Sequence, residues 1–414
     1  MQLPGAADDF SVHALPYSPV LMGYLLKTIA VCQKQTKTVP EKPATSRLFN
    51  ACKTLERAGR FQLIPSEPLP FFALHIHIPL LRTRTVDTDQ RWCRGEHERA
   101  QIRRINKALS WLPRFRIRNR IAPVAIQALL RVSQLGSALK SARHGLRIES
   151  STVVMDSSVP VAVRIIRPAG KPKGLVIDFH GGGWVIGNAQ MDDDRNVAMV
   201  KDCEVAVVSI DYRLAVSTPI EGIMDDCLAA TRYLLSDHCK EFAGLPVIVV
   251  GESAGGHLAA ATLAGLAHWP ELLRRVCGAV LYYGVYDMAG TPSVHAARAD
   301  TLVLDGPGMV AALGMLTPGL TDEERRRPPL SPLYGNFAGH PAALMFVGEI
   351  DPLIDDTRDL AERWNKLADV EVHVLPDSPH GFIHFPTPMA DRVMAYSREW
   401  ISQRIKSTDA SPNP

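Results

Sequence analysis

The chain has 414 residues, 46% of them hydrophobic and 21% charged, with a net charge of +3. A chain of that length buries a sizeable core without staples, and its ordinary composition excludes a disordered or collagen-like polymer. Its seven cysteines are odd in number and lack CxxC spacing, so neither a zinc ribbon nor a dithiol redox site is signalled, and reduced thiols in a cytoplasm are the simplest expectation.

Along the chain, Asp8 and Asp9 precede the first basic residue, Lys27, which does not suit a secretory leader. The apolar stretch "VLMGYLLKTIAVC" (20–32) is short for a bilayer span and carries Lys27, so a core or amphipathic helix is expected. Proline-rich loops at 37–46 and 65–70 interrupt residues 1–145, which read as a helical N-terminal extension. Its stronger helix candidates lie within 96–110 and 121–142. Between Arg82 and Arg147 stand sixteen Lys and Arg and four acids, including "RFRIRNR" at 114–120. Such a stretch could meet anionic lipid, or simply be a solvated helix face. No nucleic-acid module accompanies it, so nucleic acid is not an expected partner.

From about residue 146 the pattern changes. "LRIESSTVVM" and "VPVAVRIIRP" read as a strand pair. β-rich runs follow at 174–180, 205–212, 245–251, 278–287, 342–351 and 370–376, with helical patterns between most of them, such as 220–238. Continuous apolar strands alternating with helices predict an α/β fold, a mostly parallel central sheet with helices on both faces. Ligands of such sheets lie outside the carboxyl ends of the strands. The predicted domain spans 146–407, with a flexible tail at 408–414.

The candidate chemistry clusters at those strand ends. Gly251-Glu252-Ser253-Ala254-Gly255 matches the G-x-S-x-G nucleophile elbow, and a helix N-terminus follows it. A serine hydroxyl needs a base. His380, in "SPHGF" just past the last strand, has the chain order that an elbow nucleophile requires. His373 lies inside a strand pattern, and His384 makes only a weak HxxxH metal motif, so no metal is called for. The orienting acid should lie between Ser253 and His380. Asp351 directly follows an apolar run, with Glu349, Asp355 and Asp356 as competitors. "FHGGGWVIG" (179–187) offers Gly181, Gly182 and Gly183, whose backbone N–H groups could stabilise an oxyanion together with that of Ala254. It does not fit G-x-G-x-x-G, because Ile186 holds the last glycine position, and there is no Walker A sequence.

Together, "HGGGW" (180–184), "DYRLA" (211–215), "GESAGGHLAA" (251–260), "DPLIDD" (351–356) and "HGF" (380–382) resemble the hormone-sensitive-lipase-like family of α/β-hydrolases. The resemblance covers roughly residues 146–405. It implies an α/β-hydrolase fold with a helical cap, built from N-terminal helices and the 288–340 insertion. It also implies a Ser253–Asp351–His380 triad and an oxyanion hole of Gly182, Gly183 and Ala254. His180 would brace the oxyanion loop and Glu252 would take a supporting hydrogen-bonding role. The implied activity is hydrolysis of carboxylic esters with short to medium acyl chains, without a cofactor; a cytoplasmic location is expected from the thiols and the start of the chain. Two other readings are a non-catalytic small-molecule receptor on the same fold and a peripheral-membrane lipid-ester hydrolase using residues 82–147. The chain departs from the family pattern after Arg213, reading "DYRLAVSTPIEGI" (211–223), where local packing should differ.

Overall fold

The computed structural model describes residues 84–86, 91–117, 121–134, 146–156 and 158–409. The expectations for residues 20–32, 37–46 and 65–70 fall outside the described residues, as does the 135–142 end of the second helix candidate.

Nine strands form one sheet: β1 (Arg84–Val86), β2 (Arg147–Val153), β3 (Val161–Arg167), β4 (Leu175–Phe179), β5 (Ala206–Asp211), β6 (Val247–Glu252), β7 (Val276–Tyr282), β8 (Ala342–Gly348) and β9 (Val370–Leu375). Their spatial order is β1-β9-β8-β7-β6-β4-β5-β3-β2. Every neighbouring pair is parallel except the two that β3 makes, with β2 and with β5. Every side chain of β4 and β6 is buried, as expected where helices cover both faces. Alternation still sorts them. Leu175, Ile177 and Phe179 face one core, with Val247 and Val249, while Val176, Ile248 and Val250 face the other.

The principal helices are α1 (Glu96–Ser110), α2 (Ile121–Gln134), α3 (Asp193–Cys203), α4 (Ile220–Leu235), α5 (Ala254–Leu266), α6 (Pro270–Leu273), α7 (Pro292–His295), α8 (Met309–Leu316), α9 (Asp322–Arg325), α10 (Ile354–Trp364) and α11 (Pro388–Asp409). The stretch from Arg91 to Leu112 docks on the second core, and Phe115 and Ile117 pack against the first. Trp92 packs edge-on against Phe346, His373 and Tyr396, and Arg392 Nη1 donates to Glu98 at 3.1 Å. α1 adds Ile102 and Leu109 to the second core.

Three details differ from the sequence reading. β1 is only three residues long, too short for periodicity to signal it. The apolar run 278–287 leaves the sheet after Tyr282, because Tyr283 takes a positive φ of 38° and breaks the extended backbone. At the C-terminus, α11 continues through Asp409.

Register positions the chemistry. Phe179, the last residue of β4, lies opposite Gly251, and Glu252 opposite Tyr282, itself opposite Phe346. The loops leaving β4, β6, β7 and β8 therefore rise side by side from one edge of the sheet.

Candidate active site

Ser253 sits between the end of β6 and the start of α5, with φ 52° and ψ −121°, a conformation that non-glycine residues adopt only under strain. The turn is this sharp because its neighbours are glycines. A Cβ on Gly251 would overlap the Gly255 carbonyl oxygen, and one on Gly255 would overlap the Phe179 carbonyl oxygen. The Ser253 amide donates to Tyr282 O at 2.9 Å, which ties the elbow to β7.

Two loops bring the other groups to that hydroxyl. Ser253 Oγ lies 2.9 Å from His380 Nε2, in the loop after β9. His380 Nδ1 lies 2.9 Å from Asp351 Oδ2, just after β8. One tautomer satisfies both contacts: Nδ1–H donates to the carboxylate, and Nε2 accepts from the serine hydroxyl. Asp351 is further held by the Leu353 amide, which donates to its Oδ1 at 2.9 Å. The competing acids lie elsewhere. Glu349 accepts from the Asp377 amide at 2.9 Å, and Asp355 from the Ser293 amide at 2.9 Å. Asp356 accepts from the amides of Tyr286 and Asp287 at 2.6 and 3.1 Å. His373 is likewise occupied, accepting from Trp92 Nε1 at 3.3 Å and donating to Glu371 at 2.8 Å.

The glycine loop stands opposite. Gly182 and Gly183 take φ of 114° and 58°, which only glycine adopts readily. The Gly182 carbonyl accepts from the amides of Val185 and Ile186 at 3.2 and 3.1 Å. Among the described residues, neither the Gly182 nor the Gly183 amide donates to another group. The Ala254 amide, at the first position of α5, has no acceptor within its helix. Gly182 and Gly183 line the same cavity as Ser253, and Ala254 follows it directly in the chain.

The loop is braced on both sides. His180 stacks on Tyr212 at 4.1 Å, and the Tyr212 hydroxyl donates to the His180 carbonyl at 2.7 Å. Trp184 Nε1 donates to His257 Nδ1 at 3.2 Å, and His257 Nε2 donates to Leu330 O at 2.8 Å. Burial lowers His257 to about 4, so it is the neutral tautomer that these two bonds require. Where the 211–223 stretch departs from the family pattern, Arg213 grips Asp226 of α4, with Nε at 2.8 Å and Nη2 at 2.6 Å.

Glu252 supports the site from below. Burial opposes its charge, yet His384, Arg195 and Tyr283 outweigh burial and hold its carboxyl down to about 2. The contacts to Oε2 are 2.8 Å from His384 Nε2, 3.3 Å from Arg195 Nη1 and 3.1 Å from the Tyr283 hydroxyl. Partial desolvation opposes charge on His384, whose side chain is 43% exposed, but the Glu252 carboxylate raises it above the usual imidazole value. A Cβ on Gly181 would stand 2.9 Å from Glu252 Oε1, so this carboxylate also packs against the glycine loop.

Over Ser253 opens a cavity of about 710 Å³, walled mostly by apolar groups. Leu109, Leu112 and Phe115 line it from the N-terminal side, and Leu304, Met309 and Leu313 from the 288–340 insertion. The sequence reading singled out Glu252 but missed its partners Arg195, Tyr283 and His384. It also missed Trp184 and His257 as a pair. Their signals were present in "HGGGW" and "SAGGH", each a polar ring beside a glycine run, but nothing local couples them.

A protein-family model described as the α/β-hydrolase fold matches residues 176–384. The carboxylesterase NlhH of Mycobacterium tuberculosis is 32% identical over 255 residues, covering 58% of this chain and 76% of that protein. An ethyl acetate hydrolase of Pseudomonas putida is 29% identical over 230 residues, covering 53% and 71%. The crystal structure of esterase LipW from Mycobacterium marinum superposes with a TM-score of 0.64 at 27% identity, covering 72% of this chain and 95% of that one. The chain belongs to the α/β-hydrolase fold family, and its motifs group it with the hormone-sensitive-lipase-like esterases.

Proposed function

We propose that this protein is a carboxylic-ester hydrolase that works through an acyl-enzyme at Ser253, on esters of short to medium acyl chains. The observation that carries the reading is the continuous hydrogen-bond line from Asp351 through His380 to Ser253, beside three unengaged amides. His380 Nε2 takes the hydroxyl proton as Ser253 Oγ bonds to the ester carbonyl carbon. The carbonyl oxygen gains negative charge and accepts from the amides of Gly182, Gly183 and Ala254. Asp351 holds the imidazolium without taking its proton. His380 then protonates the leaving alkoxide as the ester C–O bond breaks, which leaves an acyl-serine. Water repeats the sequence: His380 accepts its proton, hydroxide adds to the acyl carbon, and Ser253 leaves with the proton returned. His180, Gly181 and Glu252 support the loop and the elbow without touching the reacting atoms. The relatives named as a carboxylesterase and an ethyl acetate hydrolase support the same reaction class.

Fluorophosphonate labelling followed by peptide mapping tests this directly. Modification at Ser253 is expected, with Ser253→Ala losing both the label and acyl-ester turnover. Equal turnover by wild type and Ser253→Ala would end the proposal, and tight ligand binding without product formation would put the receptor reading in its place.

A second reading concerns location. No helix among the described residues is long and apolar enough to cross a membrane. We propose a cytoplasmic enzyme that touches anionic lipid peripherally through residues 82–147. On α1 and its end, Arg104, Lys107 and Trp111 are exposed at spacings that share one helical face, and Trp111 is 82% exposed. Liposome sedimentation tests it: Arg104→Glu/Lys107→Glu should release the protein from anionic vesicles, and unchanged binding would refute the contact.

A further inference from the structure

The sequence "RFRIR" (114–118) carries the charge that first suggested a lipid contact, yet its described residues reach the cavity over Ser253. Arg114 and Arg116, which also border the cavity, fasten the segment through their guanidinium groups. Arg114 Nη1 donates to the carbonyls of Leu109 and Leu112 at 2.9 and 2.8 Å, and its Nε to that of Thr301. Arg116 Nε pairs with Asp305 at 3.1 Å. The backbone between them is clamped to the insertion: the Phe115 amide donates to Val303 O at 2.7 Å, and Phe115 O accepts from the Asp305 amide at 3.1 Å. Phe115 and Ile117 line the same cavity with their apolar side chains, packed against the first core.

Their place in the cavity is specific. A Cβ on Gly183 would stand 2.9 Å from Phe115 Cε1 and 3.2 Å from Ile117 Cδ1. The two side chains therefore lie directly on one of the glycines assigned to the oxyanion hole, and they wall the space beside the reacting carbonyl. The geometry points to Phe115 and Ile117 as specificity-determining residues, supplied by the N-terminal region to an ester site whose chemistry lies wholly within residues 176–384. This rests on the ester-hydrolase reading above. The strap bounds the room beside Gly183, so it limits the bulk of the group the ester presents there. It also backs Gly183, whose left-handed backbone has no side chain of its own to hold it.

The test is a series of p-nitrophenyl esters from acetate to dodecanoate, hydrolysed by wild type, Phe115→Ala, Phe115→Leu and Ile117→Ala. Phe115→Ala is expected to raise kcat/KM for the longest esters relative to acetate by at least about tenfold, the scale set by opening a few methylenes of apolar space. Phe115→Leu should return most of the wild-type profile. Active-site titration with a fluorophosphonate gives the competent fraction, so a folding loss lowers all rates together and leaves the ratio unchanged. If Phe115→Ala yields no folded protein, the smaller Ile117→Ala change reads the same ratio. A chain-length profile that superimposes on wild type in the folded variants overturns the assignment. Failure of the ester-hydrolase reading would be visible separately, as a wild type that turns over none of the series.

Discussion

His380 Nε2 lies 2.9 Å from Ser253 Oγ although 127 positions separate them in the chain. The two loops meet because β6 and β9 end at the same edge of one sheet, with β7 and β8 between them. A parallel sheet converts distance along the chain into neighbouring strand ends, and a hydrogen bond between the loops follows from that. The same arrangement makes each contact of the site separately removable.

Asp351→Asn is expected to keep the loop geometry, since the Leu353 amide can still donate to the side-chain oxygen. It removes the charge that steadies the imidazolium and favours the wrong tautomer. The kcat of ester hydrolysis should fall by roughly 10³–10⁴-fold. Steady-state kinetics on protein with wild-type circular dichroism would measure it, and a loss below tenfold would show that another acid orients His380.

Trp184→Phe keeps the ring in the core and deletes only the donor to His257. His257 Nδ1 is then left buried and unsatisfied, at a cost of about 1–3 kcal/mol. Stability should fall by that much in denaturant titrations, and kcat should fall with little change in KM, because Trp184 follows Gly183 directly. Unchanged stability together with unchanged kcat would remove the Trp184–His257 bond from the support of the oxyanion loop.

Asp356 gives a pH signature at the base of the insertion. Burial, set against the hydrogen bonds from Thr291, Tyr286 and Asp287, raises its carboxyl from 3.8 to about 7. The folded state therefore holds this proton more tightly than the unfolded chain. Its stabilising contribution is complete below the unfolded value and is lost as pH rises through about 7. Asp356→Asn is always neutral and can still donate to Thr291 and accept from the two amides. Its unfolding free energy should decline less than that of wild type between about pH 4 and pH 7. Parallel stability curves across that window would contradict the proton assignment.

Much of this was legible beforehand for a local reason. The strands from β2 to β9 announced themselves as apolar runs, and the elbow and glycine loop as residues too small to block a tight backbone. Gly251, Gly255, Gly182 and Gly183 are steric requirements within a few residues of where they act, so local pattern carries them. The three-residue β1 and the exit of the chain from the sheet at Tyr283 were not legible, the first for its brevity and the second because aromatic residues suit a strand equally well.

By itself, the sequence determined an α/β sheet with a strained serine at one strand end and a string of free amides at another. It left four acids open for one role, and it presented "RFRIR" simply as charge. The family resemblance pointed to Asp351 among those acids, but only the tertiary structure set it 2.9 Å from His380, gave Glu252 its partners, and laid Phe115 on Gly183. Those contacts depend on which strand ends and which segments become neighbours in space. Such proximity is decided by the packing of the whole sheet and its cover, and a stretch of chain a dozen residues long does not contain it.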